Sequence, residues 1–269
     1  MRKLMTIAAM VAISALVASC SSGGSGGTGA DESHLNTVIS SKTLRVGIIP
    51  DNPPSSIRQG TNDWKGYDVD LAQFLADSLG AKLEIVSTTG ADRVTVLETN
   101  KADVVISTFT PTNERAQKIA FTIPYSASGT VPMFPEGAGI STFDDVAKHT
   151  VAFARGSTAD LLMQAKFPDA KVERFDNIAD AFQALKSGKV EVLLEDNQIV
   201  AQLMKDNPGY ATVDEDPQNL GYLSMGVPIG DQVWTEYLNN FIRNFNVSGD
   251  NNALYQKWFN APLPALYGY

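Results

Sequence analysis

Two rhythms of apolar residues alternate along this chain. From residue 36 onward, short β-branched or alternating runs give way to stretches with apolar positions three and four apart. Leu44-Arg45-Val46-Gly47-Ile48-Ile49 predicts a strand. Over 67–79, Leu71, Phe74, Leu75 and Leu79 recur at helical spacing. Asp68 and Asp70 fall in that helix's first turn, where the dipole favours anions. A strand over 83–86, a short helix over 94–98 and a buried strand over 103–107 follow. The alternation then resumes, with strands over 150–154, 171–175 and 190–194. Helices are expected between and after them, over 157–166, 178–186 and 195–205. Strands alternating with helices imply parallel sheets covered on both faces.

The second series echoes the first. Leu97-Glu98-Thr99-Asn100-Lys101-Ala102-Asp103 parallels Leu185-Lys186-Ser187-Gly188-Lys189-Val190-Glu191. Chance similarity between two common helix–loop–strand units reads these residues as well as duplication does, but the alternation on both sides favours two similar α/β lobes. Residues 126–139 and 214–228, rich in Gly and Pro, flank the second series. They are expected to be two crossing segments of a hinge. The first lobe then comprises 36–129 and 224–269, and the second 130–223. The tail supports this return with two apolar helical stripes, one through Trp234, Leu238, Phe241, Ile242 and Phe245, the other through Leu254, Tyr255, Trp258 and Phe259.

The first 35 residues follow neither rhythm. Arg2 and Lys3 precede a short apolar run, Leu4 to Val17, and then small residues. This predicts a signal peptide over 1–19, too short and wrongly flanked to be a spanning helix. Val17-Ala18-Ser19-Cys20 resembles a bacterial lipobox, which makes Cys20 the candidate lipidation site. The Ser/Gly/Thr stretch after it cannot bury apolar surface and predicts a flexible tether over 20–35. Two patterns in the tether, a G-x-S-x-G at 23–27 and a G-x-G-x-x-G at 24–29, neither follow a strand nor open a helix. They are products of composition.

Composition narrows the chemistry. The chain has 269 residues, 43% hydrophobic and 19% charged, with a net charge of −9 that becomes −11 once Arg2 and Lys3 leave with the leader. This acidic balance argues against nucleic acid as a partner, because phosphate binding needs clustered Lys and Arg. One Cys excludes an intramolecular disulfide framework. With only two His besides, a metal centre or other cofactor is not expected.

In open α/β sheets ligands sit beyond the carboxyl ends of strands. That rule selects the loops 50–55, 108–115, 155–158 and 195–197. The second supplies Thr108, Thr110 and Arg115, whose guanidinium fork can hold a carboxylate at two points. A local ion pair of Arg115 with Glu114 or Asp92 is the plainer alternative. Ser157 reads as a helix cap with Asp160 three residues on, and Thr158 stands at a helix N-terminus that suits anions. Asp196 either caps the helix that follows or faces an ammonium. With Arg115 from one lobe and Asp196 from the other, a bound zwitterion would draw the lobes together.

Gly66-Tyr67-Asp68-Val69-Asp70-Leu71, with Leu75, Ala76 and Leu79 after it, resembles the signature of the family 3 extracellular solute-binding proteins. The segments 108–115, 120–125 and 255–259 are similar to later family segments. The resemblance implies a two-lobe, type II periplasmic-binding-protein-like fold and a binding component of a bacterial ABC importer for polar amino acids. By position, Arg115 with Thr110 and Thr158 would hold the ligand's α-carboxylate, and Thr108 and Asp196 its ammonium. Arg93 matches an arginine that acidic-amino-acid binders place on a side-chain carboxylate; bracing Asp92 or Asp68 is the alternative. Asn52 stands where many members carry an aromatic, so the pocket roof is expected to be polar or built from Trp64.

These readings give an extracytoplasmic, lipid-anchored monomer that binds a polar, possibly acidic, amino acid and hands it to membrane permease subunits. A cleft enzyme resembling the cyclohexadienyl dehydratases is a second class, with Glu195 as its general acid or base. A lipoprotein that senses a ligand for a separate partner is a third.

Overall fold

A computed structural model of the protein describes residues 33–266. The expected leader, Cys20 and the tether through residue 32 lie outside the described residues. The tether was expected to run to residue 35, but helix α1 (His34–Ser41) begins inside it. Ser33 caps α1, accepting the Leu35 N–H at 3.3 Å, and donates its hydroxyl to Asp231 at 2.8 Å.

The first half continues with β1 (Thr43–Ile48) and a small antiparallel sheet of β2 (Asp51–Asn52), β3 (Ser56–Gln59) and β4 (Asp63–Lys65). Next come α2 (Tyr67–Ser78), β5 (Lys82–Ser87), α3 (Arg93–Glu98) and β6 (Val104–Val105). The second half contains β8 (Val151–Ala154), α4 (Thr158–Lys166), β9 (Val172–Phe175), α5 (Ile178–Lys186), β10 (Val192–Asp196), α6 (Asn197–Asp206) and β11 (Tyr210–Ala211). Two long strands, β7 (Ile119–Pro135) and β12 (Gln218–Pro228), run between the halves, and α7 (Gln232–Val247) and α8 (Asp250–Phe259) close the chain.

The strand order is β5-β1-β6-β12-β7-β10-β8-β9. In each half the first strand lies between the second and third, all parallel, as the alternation predicts. The joining strands β7 and β12 pair antiparallel with each other and with the third strand on their own side. The echo is structural too. Asn100 and Gly188 both take left-handed backbone, with φ of 52° and 72°. Lys101 N–H bonds the Val96 carbonyl at 2.9 Å, and Lys189 N–H bonds that of Ala184 at 3.0 Å. Asp103 and Glu191 each return a carboxylate to the first strand's opening, on the N–H groups of Arg45 and Thr150.

The Gly/Pro-rich segments 126–139 and 214–228 are the two crossings, and they are largely strand. Most of β7 is buried on both faces, so it lacks the alternation that marks a strand with one wet face. Its prolines are tolerated beside register shifts against β12, as at Ser224 opposite Pro124. The helix expected over 195–205 starts at Asn197, which leaves Glu195 and Asp196 at the end of β10.

Separate cores lie on the two sides. One gathers Leu44, Val46, Leu71, Leu75, Ile106, Trp234 and Leu238; the other gathers Met133, Phe153, Met163, Phe182, Leu185 and Leu193. Trp234 is fully buried and donates its indole N–H to the Asp103 carbonyl at 2.8 Å, so the tail helix is fixed against β6. Gly66 explains part of the 66–71 motif. Its φ is 137°, and a Cβ there would lie 2.3 Å from the Ser55 carbonyl oxygen. That close crossing lets Asp68 N–H bond the Ser55 carbonyl at 2.8 Å and start α2 beneath the loop after β2.

Candidate functional site

All four selected loops meet. A cavity of about 50 Å³ lies between the halves, lined by Asn52, Arg93, Thr108 and Arg115 from one side and by Ser157, Thr158, Glu195 and Asp196 from the other. Gly90, Ile49, Ala154, Asp176, Asn177 and Ile178 complete the wall. Among the described residues no aromatic ring lines it, and Trp64 packs against the first core instead.

Arg115 is buried and forms no ion pair with Glu114 or Asp92. Its guanidinium donates to the Thr110 carbonyl at 2.5 Å and to the Gly156 carbonyl at 2.8 Å. Three of its five N–H groups remain without a partner among the described residues. Thr110 therefore meets the site through its carbonyl; its side chain lies in a neighbouring cavity with Pro111 and Tyr222. Arg93 pairs with neither Asp92 nor Asp68. It donates to the carbonyls of Gly90 (3.0 Å), Ser107 (3.1 Å), Thr108 (3.2 Å) and Gly156 (3.3 Å). Both guanidiniums stack on Phe109, at 4.4 Å for Arg93 and 5.0 Å for Arg115. Burial draws Arg115 down to about 10 and, with Arg115's charge added, Arg93 down to about 9; both stay cationic at neutral pH.

Thr108 sits in left-handed backbone, φ 42°, a costly conformation for a β-branched residue. Its neighbours account for it. Its N–H donates to Asp68 at 3.0 Å, its hydroxyl accepts from the Asn52 amide at 3.0 Å, and its carbonyl takes Arg93. Asn52 thus fixes the Thr108 hydroxyl and leaves its proton to point elsewhere. Asp68 is fully buried and also accepts the Tyr125 hydroxyl at 3.1 Å. Burial raises its pKa to about 7 against those two hydrogen bonds.

From the other side, Ser157 caps α4 as predicted, accepting the Asp160 N–H at 3.2 Å. Asp160 in turn takes the Gly156 N–H at 3.1 Å. Thr158 opens the helix at the cavity wall. Gly156 lies where the halves approach closely: its φ is 71°, and a Cβ would lie 3.1 Å from the Ala91 Cα. Asp196 occupies the cap position of α6 but makes no side-chain cap bond, so its carboxylate is available to the cavity. Burial pushes both Glu195 and Asp196 upward, and their mutual repulsion raises Glu195 further. Glu195 accepts the Asp196 N–H at 3.0 Å.

Sequence reasoning missed the second duties of Gly156, Asp68 and Phe109. For Gly156 the signal was present, since a glycine directly before a capping serine at a strand end permits positive φ. The reach of Asp68 to Thr108, forty residues on, has no local signature.

The description of the bacterial extracellular solute-binding proteins, family 3, matches residues 44–261. The chain belongs to this family. Family 3 membership places it outside the cytoplasm. Two curated relatives are the ABC transporter glutamine-binding protein GlnH of Bacillus subtilis and the L-cystine-binding protein TcyJ of Escherichia coli. GlnH is 28% identical over 198 residues, covering 72% of each chain. TcyJ is 27% identical over 236 residues, covering 87% of this chain and 89% of its own. Among solved structures, the ancestral amino acid-binding protein AncCDT-1, a precursor of cyclohexadienyl dehydratase, is 32% identical with a TM-score of 0.79, over 84% of this chain and all of that one. The fold is accordingly the two-lobe, periplasmic-binding-protein-like one.

Proposed function

We propose that this family 3 protein is the amino acid-binding component of an ABC importer, anchored by lipid on Cys20 after removal of residues 1–19. In this reading it acts as a monomer, with 36–129 and 224–269 as one lobe and 130–223 as the other, and delivers its ligand to permease subunits. One observation carries the proposal: a buried guanidinium with unspent N–H groups (Arg115) and a carboxylate that caps nothing (Asp196) face one cavity from different lobes. An α-amino acid has the matching pair of charges.

Arg115 holds the α-carboxylate, with Thr158 at the α4 N-terminus beside it. Asp196 and the Thr108 hydroxyl hold the ammonium. Thr110 acts through its carbonyl, which sets the Arg115 fork, and Asn52 acts by orienting the Thr108 hydroxyl. Arg93 braces the loops of both lobes through four carbonyls. Calorimetric titration with the twenty amino acids tests the reading. Binding of at least one at micromolar concentration is expected, about −8 kcal/mol. Silence from all of them at millimolar concentration would sink it.

Glu195 supports a second reading, a cleft enzyme of the cyclohexadienyl dehydratase kind. Its carboxyl lines the cavity, and burial favours the protonated form that a general acid needs. Incubation with prephenate or arogenate decides: absence of product dismisses it.

A further inference from the structure

The expectation of an acidic ligand rested on Arg93 alone, and the geometry of Arg93 opposes it. Four of its five N–H groups are given to main-chain carbonyls, two on the Ser107–Thr108 turn, one on Gly90 and one on Gly156 across the cleft. One N–H is left, and a bidentate grip on a side-chain carboxylate needs two. The carboxyl groups of Glu195 and Asp196 line the same small space, so a second ligand carboxylate would sit close to both. A cationic side chain meets Arg93 and Arg115 on the opposite wall, and Glu195, which could partner it, is pushed by burial toward its neutral form. Burying a side-chain charge of either sign without a partner is costly.

Size points the same way. The cavity measures about 50 Å³, well under the roughly 300–1,000 Å³ of ordinary ligand pockets, so it suits a short side chain better than a long one. The parts of the wall that carry no charge include Ile49, Ala154 and Ile178, with no aromatic platform for a large or planar side chain.

Building on the amino-acid reading above, we infer that the ligand is a zwitterion with a small, uncharged side chain, of the size class of glycine, alanine, serine or cysteine. Ile49, with Asp176 and Asn177, sets the limit. The three line this cavity and also a larger one of about 450 Å³, bordered by Asp51 and Asp92. A longer side chain would have to pass them to enter that groove.

The test is calorimetry on the folded chain at pH 7 with glycine, alanine, serine, cysteine, glutamine, glutamate and arginine. The tightest ligand is expected among the first four, at least tenfold tighter than any of the last three. Glutamate as the tightest would overturn the inference by giving Arg93 a ligand carboxylate. Glutamine or arginine as the tightest would overturn it by placing the side chain beyond Ile49. No binding by any of the seven, with binding by another of the twenty, would also overturn the inference; silence from all twenty would overturn the amino-acid reading itself, a distinguishable result. Ile49→Ala supplies a second readout. Its ratio of glutamine to small-ligand affinity should move at least fivefold toward glutamine, with melting confirming the fold; an unchanged ratio would remove Ile49 as the size gate.

Discussion

Truncating Arg115 to alanine removes the group on which the proposed carboxylate grip depends. The side chain is buried, already anchored by the carbonyls of Thr110 and Gly156, and held over the Phe109 ring, so its fork is in place before ligand arrives. Two charge-assisted hydrogen bonds to a carboxylate are worth about 1.5–3 kcal/mol each. Their joint loss, with the ligand carboxylate left unpaired, comes to roughly 3–5 kcal/mol, a few hundred- to a few thousand-fold in Kd. Arg115→Lys keeps the charge and loses the fork, so about half of that loss is expected. Stability should change less, by about 1–2 kcal/mol, because Thr110 and Gly156 are only half-buried and water can reach the two released carbonyls. Calorimetry measures the affinities, and thermal melting checks the fold. If Arg115→Ala binds within threefold of the parent chain while folded, the carboxylate is held elsewhere and the assignment is wrong.

Three further outcomes follow from the same geometry. Asp196→Asn should weaken binding at least about tenfold, the worth of one charged hydrogen bond, without lowering the melting temperature, since that carboxylate caps nothing and the amide oxygen can still accept from Ser128; retained affinity would move the ammonium site. Gly156→Ala should cost at least about tenfold in affinity through a Cβ 3.1 Å from the Ala91 Cα and an αL strain of about 1–2 kcal/mol, and small-angle scattering should show a less compact liganded form. Unchanged affinity and compaction would mean that closure does not bring these segments together. Asp68→Asn should flatten a pH dependence. Folded Asp68 keeps its proton up to about 7, while the unfolded chain releases it near 4. Its contribution is therefore fully present below about pH 4 and is lost as pH rises to about 7, by up to about 4 kcal/mol. Asparagine can still accept from Thr108 and donate to Tyr125, so urea unfolding across that window should show a smaller fall than in the parent; an equal slope would refute it.

Much of this molecule is legible in its sequence, for identifiable reasons. The strands around residues 44–49, 151–154 and 192–196 and the helices between them announce themselves because each is followed by an element of the other period. The loops at their ends carry Thr108, Arg115, Thr158 and Asp196, and the strand-end rule brings all four to one cavity. What stays hidden is of two kinds. The long strand β7 and residues 223–227 of β12 are buried on both faces, and Pro and Gly interrupt both strands, so they lack a strand's alternation. The supports of the site are long-range. Asp68 on Thr108, Asn52 on Thr108 and Arg93 on Gly156 join residues 40, 56 and 63 positions apart, which no local pattern encodes.

The echo between Asn100 and Gly188 has a consequence for how such a site diversifies. Two copies of one frame present the same two loops, one after the first strand and one near the third, to a common seam. A ligand with an acidic and a basic end has no such repetition, so the copies must differ where they touch it. They do: an arginine follows the third strand in one copy, and an aspartate ends it in the other. The repeated turns and strand-end carboxylates can stay alike while the four loop tips change. Specificity in this scaffold is therefore modular, and grafting the tips of 49–52, 108–115, 155–158 and 195–197 between relatives is the economical route to a new ligand.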